Sequence, residues 1–316
     1  MTKTHWLLIL ILSLTACTEK IELPVPQAEP IPVLNSLIQP DSLITVYLSL
    51  STPVLSDSDT ETIEEATVKL FINGEYSETL SQISPGVFQT NQTAEIGKEY
   101  MLRAEIPAFE TLKAITQIQE PAEITDGSFK RHVIYVARQS QDMDIAELSF
   151  IDSQDVENFY QIAFYTSHYR YTYETDPITG EEIIVDSVQK VQYSKYINSN
   201  DPIIVNEGDM DFYPMPGSTE SLVFSDELLE NENQITFILQ ARPIALLRSI
   251  SKDYYLYEKS RIRQRANLEI LNYNPTNFFL VNNPVDLYSN VENGLGIFAG
   301  YSETHYELED ITDYEF

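Results

Sequence analysis

Apolar residues in this chain recur at every second position, and that period decides what it can fold into. Within residues 44–51, Val46, Leu48 and Leu50 share one face, with polar residues between them. Val68, Leu70 and Ile72 repeat the pattern and run into Asn73-Gly74, a pair that favours a two-residue hairpin turn of type I′. Tyr100, Leu102, Ala104 and Ile106 form another half-buried strand, and residues 110–119 a further one. A helix would repeat near 3.6 residues, and no such period runs through this region. Residues 33–125 are therefore expected to form a β-sandwich, immunoglobulin-like or transthyretin-like.

Residues 121–127 carry a Pro, an Asp and a Gly and are expected to mark a boundary, with a second β-rich domain over 126–316. Strands are expected at 131–137, 144–151 and 234–241. The longest apolar-polar alternation, 158–173, should pair with 182–196 across the turn residues 176–180. Two helices are expected, a short one at 225–229 behind Ser225 as N-cap and a longer one near 249–267. Leu247, Ile250, Tyr254 and Tyr257 fall on one face of the longer helix, which should pack on a sheet. Pro275, Asn277 and Pro284 mark a loop before the last strands. The fold class is mainly β with one or two short helices.

The N-terminus bears on location. A short apolar stretch, residues 7–14, is well under the ~20 residues that a helix needs to span a bilayer. It fits the core of a signal peptide covering 1–16. The stretch Leu14-Thr15-Ala16-Cys17 resembles a bacterial lipobox, and Cys17 is the chain's single cysteine. Cys17 is therefore expected to be the lipidation site, and anchoring needs only the acyl chains it would carry. Residues 17–32 hold four prolines and should act as an extended tether. With one cysteine, no intramolecular disulfide can form.

Charge narrows the partners. The chain has 49 acidic and 19 basic residues, a net charge of −30, so its field repels phosphate backbones and no nucleic acid is expected. Seven basic residues between Arg242 and Arg265 stand out against that background. They could meet lipid headgroups or an acidic partner, or neutralise the protein's own acidic sheets.

Catalytic patterns are missing from the sequence. There is no Gly-x-Ser-x-Gly, and His132, His168 and His305 lack metal-ligand spacing. The acidic residues at 57–65 and at Asp209 and Asp211 follow no calcium-loop order. No enzyme activity, metal or cofactor is expected. Asn293-Gly294-Leu295-Gly296 leads into an apolar strand rather than a helix, so it is a turn and not a phosphate cradle. Tyrosines carry the clearest binding signal. Tyr165, Tyr169, Tyr171 and Tyr173 alternate onto one face of the long hairpin, with Tyr193 across the turn. Tyrosine suits wet interfaces, and the same arrangement also serves cross-strand packing.

Several segments resemble the Bacteroidetes lipoprotein family known as domain of unknown function 4249. The stretch 278–302, Phe-Phe-Leu-Val-Asn-Asn-Pro through Ser-Asn-Val-Glu-Asn-Gly-Leu-Gly-Ile-Phe, is similar to its C-terminal signature. Residues 249–257 resemble its tyrosine-rich helix, and Phe224-Ser225-Asp226 its Phe-x-Asp motif. Residues 230–233 depart from the Gly-containing turn usual there. The resemblance implies an outer-membrane lipoprotein often encoded beside a TonB-dependent transporter, and it implies no activity. The expected role is an accessory partner of such a transporter in substrate capture or gating, lipid-anchored in the outer membrane. A stand-alone glycan- or peptide-binding surface lipoprotein is the alternative, and a hydrolase with an unobvious carboxylate site is another.

Overall fold

The computed structural model describes residues 29–52, 59–136, 141–153, 156–175, 181–194, 197–199, 201, 221–239, 243–273 and 286–312. Cys17, the expected signal segment, most of the expected tether, the expected turn at 176–180 and the expected loop at 275–284 lie outside the described residues. The first eight strands are β1 (Pro32–Ile38), β2 (Leu43–Leu50), β3 (Thr67–Ile72), β4 (Glu75–Thr79), β5 (Ser81–Ser84), β6 (Val87–Thr93), β7 (Glu99–Glu105) and β8 (Leu112–Gln117). Then follow β9 (Glu123–Val136), β10 (Gln141–Ile151), β11 (Phe159–Thr175), β12 (Glu182–Tyr193), β13 (Ile197–Asn198), β14 (Ser221–Ser225), β15 (Glu232–Leu239) and β16 (Ile244–Ile250). Among the described residues one helix, α1 (Lys252–Tyr273), precedes β17 (Leu295–Glu307) and β18 (Glu309–Asp310). The mainly β class read from the period of two is what the protein adopts.

A nine-stranded sheet, ordered β12-β11-β16-β17-β1-β2-β6-β5 with β14 also paired to β11, forms the backbone of the molecule. A four-stranded sheet, β4-β3-β7-β8, packs on one part of its inner face. A five-stranded sheet, β13-β15-β10-β9-β18, packs on the other. Each pairing buries the alternating residues of both sheets. Leu34, Leu48 and Val46 meet Val68, Leu70 and Leu102 in the first core. Ile162, Phe164 and Leu247 meet Leu148, Ile235 and Phe237 in the second. The Asn73-Gly74 turn joins β3 to β4 with φ of 50° and 81°, the positive pair that a type I′ turn requires.

The last strand connects the two cores. β17 runs parallel to β1 and antiparallel to β16, placing the end of the chain at the centre of the long sheet. Phe298 and Val291 are buried in the first core, although the sequence places them far into the second region. Asn290 accepts from the Phe298 amide (2.9 Å) and donates to its carbonyl (2.7 Å), fixing the segment that leads into the strand. The Asn293–Gly296 turn opens this strand, as its sequence indicates.

Two local expectations differ from the structure. Residues 225–229 form a single turn, with the Leu229 amide donating to the Asp226 carbonyl (2.9 Å), because Ser225 is still paired in β14 with Phe159. The longer helix begins later than 249, capped by Ser251, whose Oγ accepts from the Tyr254 amide (3.3 Å). Leu247 and Ile250 belong to β16. That strand is covered on both faces, Leu247 by the five-stranded sheet and Ile250 by α1, so its apolar run shows no alternation and imitates helical spacing. Tyr254 and Tyr255 do lie on the sheet, against Phe159, Ile297 and Ala299.

Candidate functional site

β11 is long enough to leave the body of the molecule. β16 pairs with it only from Phe159 to Tyr165, and β14 only from Phe159 to Ala163. Beyond Tyr165 its partner is β12, in the expected antiparallel register from Tyr165↔Tyr193 to Thr175↔Glu182. Every residue of β12 is exposed, as is β11 from His168 onward. The hairpin is thus a two-stranded arm with both faces in solvent.

Its two faces differ. Residues 165, 167, 169, 171 and 173 share a face with Tyr193, Val191, Gln189, Ser187 and Ile184, and none of these ten carries a charge; the next pair on that face, Thr175 opposite Glu182, brings the first one. The other face carries His168 opposite Lys190, then Arg170 opposite Val188 and Thr172 opposite Asp186. A register shift between Thr172 and Tyr173 brings Ile184 opposite Tyr173 and keeps the tyrosine face continuous.

The tyrosines touch along this face. Tyr169 and Tyr171 stack with centroids 6.2 Å apart, and Tyr171 and Tyr173 follow at 6.4 Å. Tyr165 and Tyr193 meet at 5.6 Å at the base. Tyr165 also bonds His305 Nδ1 through its hydroxyl (2.9 Å), which ties the arm to β17. Burial raises the proton affinity of the Tyr165 phenol, aided by the neighbouring Tyr193. All five sequence-selected tyrosines therefore lie on one face. Four of them, Tyr169, Tyr171, Tyr173 and Tyr193, are 40–54% exposed.

The remaining candidates resolve differently. Arg248, Lys252 and Arg261 pair with Glu303, Glu157 and Glu258 of the same chain. Lys259 donates to the Tyr255 hydroxyl (2.9 Å). Arg242, Asp57, Asp209 and Asp211 lie outside the described residues, as does the side chain of His132. Among the described residues no three His, Cys, Asp or Glu side chains gather as metal ligands. The buried carboxylate Asp152 accepts from the Tyr160 hydroxyl (2.5 Å) and the Asn158 amide (3.2 Å), an arrangement that caps the second core. No helix among the described residues is long and apolar enough to cross a membrane.

The outer face of the long sheet also holds a concavity of about 480 Å³ beside α1, bordered by Asn35, Tyr47, Tyr257 and Tyr301 among others. Sequence inspection missed it, because its walls come from segments more than 200 residues apart that meet only through the β1–β17 pairing.

Comparisons with known proteins give limited company. The chain matches no curated protein. Among solved structures it has a 12% identical likeness to "The structure of a beta-glucuronidase from glycoside hydrolase family 2", covering 71% of this chain and 19% of that one, with a TM-score of 0.20. The chain thus spans about a fifth of that protein. A second likeness, to "Enterococcal surface protein, partial N-terminal region", is 7% identical, covers 92% and 98% of the two chains, and has a TM-score of 0.15. Likenesses this slight carry no weight for activity. The family model described as Domain of unknown function (DUF4249) matches residues 18–307, nearly the whole length on which both cores and the arm are built, and the chain belongs to that family.

Proposed function

We propose that this protein is a non-enzymatic, lipid-anchored accessory protein of the outer membrane that docks on a TonB-dependent transporter in substrate capture or gating. One observation carries the reading: a two-stranded arm presents a tyrosine-lined face that is uncharged from Tyr165 to Tyr173, in a protein of net charge −30. Tyrosine offers large contact area and a hydroxyl at low conformational cost, and it is over-represented among the residues that dominate interface energies. An exposed arm whose side chains contribute nothing to either core has no packing role that would account for its length. Acylation at Cys17 and the proline tether behind it would hold the protein beside an outer-membrane partner and raise its effective concentration there.

The test is co-purification of the full-length protein from its native outer membrane. Wild type should recover a β-barrel transporter in near-stoichiometric amount. The Tyr169→Ala, Tyr171→Ala, Tyr173→Ala triple variant should recover it at least tenfold less, since one anchor residue typically contributes ~2 kcal/mol. Equal recovery by the variant would remove the arm from the interface. Failure of wild type to recover any barrel would refute the role.

A further inference from the structure

The concavity on the outer face of the long sheet has a chemistry of its own. Tyr47 on β2, Asn35 on β1 and Ile297 on β17 stand opposite one another in a row across three strands. Tyr257 from α1 and Tyr301 from β17 also border the concavity, as do Gln39 and Thr45. Eleven residues border it and none is charged, in a chain where 49 residues are acidic and 19 basic. The ionised groups beside Tyr301 are Arg248 and Glu303, and these pair with each other at 3.3 Å.

The neutral lining is rich in hydrogen-bonding groups. Asn35 Oδ1 accepts from the Ile297 amide (3.3 Å), which leaves the Asn35 NH2 to donate. Gln39 donates to Ser42 Oγ (3.0 Å) and keeps its carbonyl oxygen as an acceptor. The hydroxyls of Tyr47, Tyr257 and Tyr301 have no hydrogen-bond partner among the described residues. Burial keeps the Tyr257 and Tyr301 phenols protonated well above neutral pH, so both can donate. Tyr47, 54% exposed, offers its ring to solvent.

An anion or a cation would meet no opposite charge here. A wholly apolar ligand would cover amides and hydroxyls without pairing them, at a cost for each. A neutral polyhydroxylated ring satisfies both features. Its hydroxyls pair with amides and phenols, and its C–H face lies on the electron-rich face of an aromatic ring. We infer that this concavity, between Tyr47, Asn35, Gln39, Tyr257 and Tyr301, binds a short segment of neutral carbohydrate. Its volume falls within the ~300–1,000 Å³ common to ligand pockets. Tyr193 at the base of the arm is near enough to raise the Tyr301 phenol, but Tyr169, Tyr171 and Tyr173 do not border the concavity, and the inference does not rest on the transporter role.

The experiment is native affinity electrophoresis of the full-length protein through gels containing starch, laminarin, xyloglucan or galactomannan. Calorimetry then follows with an oligosaccharide of whichever polysaccharide retards it. Retardation by at least one is expected. Tyr47→Ala should weaken the calorimetric affinity at least about tenfold, while Tyr47→Phe, which keeps the ring, should stay within about threefold. Tyr47 is exposed, so the alanine variant should keep the wild-type circular dichroism spectrum. The arm triple variant should bind carbohydrate as wild type does, which separates this site from the transporter interface. No retardation by any of these polysaccharides would overturn the inference, as would equal retardation of the wild type and Tyr47→Ala.

Discussion

The amide of Gly300 donates to Oγ1 of Thr116, 2.9 Å away and 184 residues earlier in the chain. This bond crosses from the centre of β17 to β8, in the sheet facing it. It shows how the end of the chain closes a sandwich that the first hundred residues begin. A Cβ on Gly300 would come within 2.4 Å of the Gln117 carbonyl, so the approach needs glycine.

The first sandwich should therefore depend on the C-terminal strand. A fragment of residues 29–125 lacks Val291 and Phe298 and the β1–β17 pairing, and should give the poorly dispersed amide spectrum of an unfolded chain. In the full protein, Phe298→Ala should cost about 3–5 kcal/mol and Gly300→Ala about 1–3 kcal/mol, read from urea denaturation. A folded, cooperatively melting fragment would contradict this.

The arm should be separable from the fold. Its exposed residues contribute to no core cluster. Replacing residues 167–191 with a two-residue Asn-Gly turn should change stability by no more than about 1 kcal/mol. Calorimetric melting of the deletion variant checks this, and a collapse of the thermal transition would mean that the arm is a structural element.

Arg248 holds the outer face of the long sheet together. It donates to Gln161 Oε1 (3.0 Å) and Glu303 Oε2 (3.3 Å), and its guanidinium lies 4.9 Å from the Tyr301 ring centroid. Arg248→Ala should cost about 2–4 kcal/mol, because it strands a half-buried carboxylate. Arg248→Lys should recover only part of that, since an ammonium cannot serve both acceptors and the ring at once. Urea midpoints of the two variants give the comparison.

Alkaline pH should unfold the protein through the buried Tyr254 and Tyr160 and the half-buried Tyr288. Burial pushes Tyr254 up to about 12. Burial, and then the hydrogen bond to Asp152, raises Tyr160 further. Tyr288 is raised in the same way, with Asp253 as its acceptor. The folded state thus holds these protons more tightly than the unfolded chain, whose tyrosines titrate near ~10. Their contribution is complete below pH ~10 and is lost as pH rises through 12. Phenolate absorbance at pH ~11 should fall short of the 20 tyrosines present, and the remainder should appear together with the loss of circular dichroism. Full ionisation with the structure intact would refute this.

Local period and turn chemistry, readable in the sequence alone, determined the β class, the Asn73-Gly74 hairpin and the arm. Strand alternation is a property of neighbouring residues, so Tyr165, Tyr169, Tyr171 and Tyr173 shared a face before any partner was known, and the hairpin register placed Tyr193 opposite Tyr165. Only the tertiary structure decided which strands are central and which segments meet. β16 carries apolar residues on both faces because it has a core on one side and α1 on the other, and a strand covered twice loses the alternation that would reveal it. Pairing of β1 with β17 joins positions more than 250 residues apart, and no local pattern encodes a parallel contact of that span. The concavity bordered by Tyr47, Tyr257 and Tyr301 exists only through that pairing, because long-range association, not residue spacing, sets which side chains share a wall.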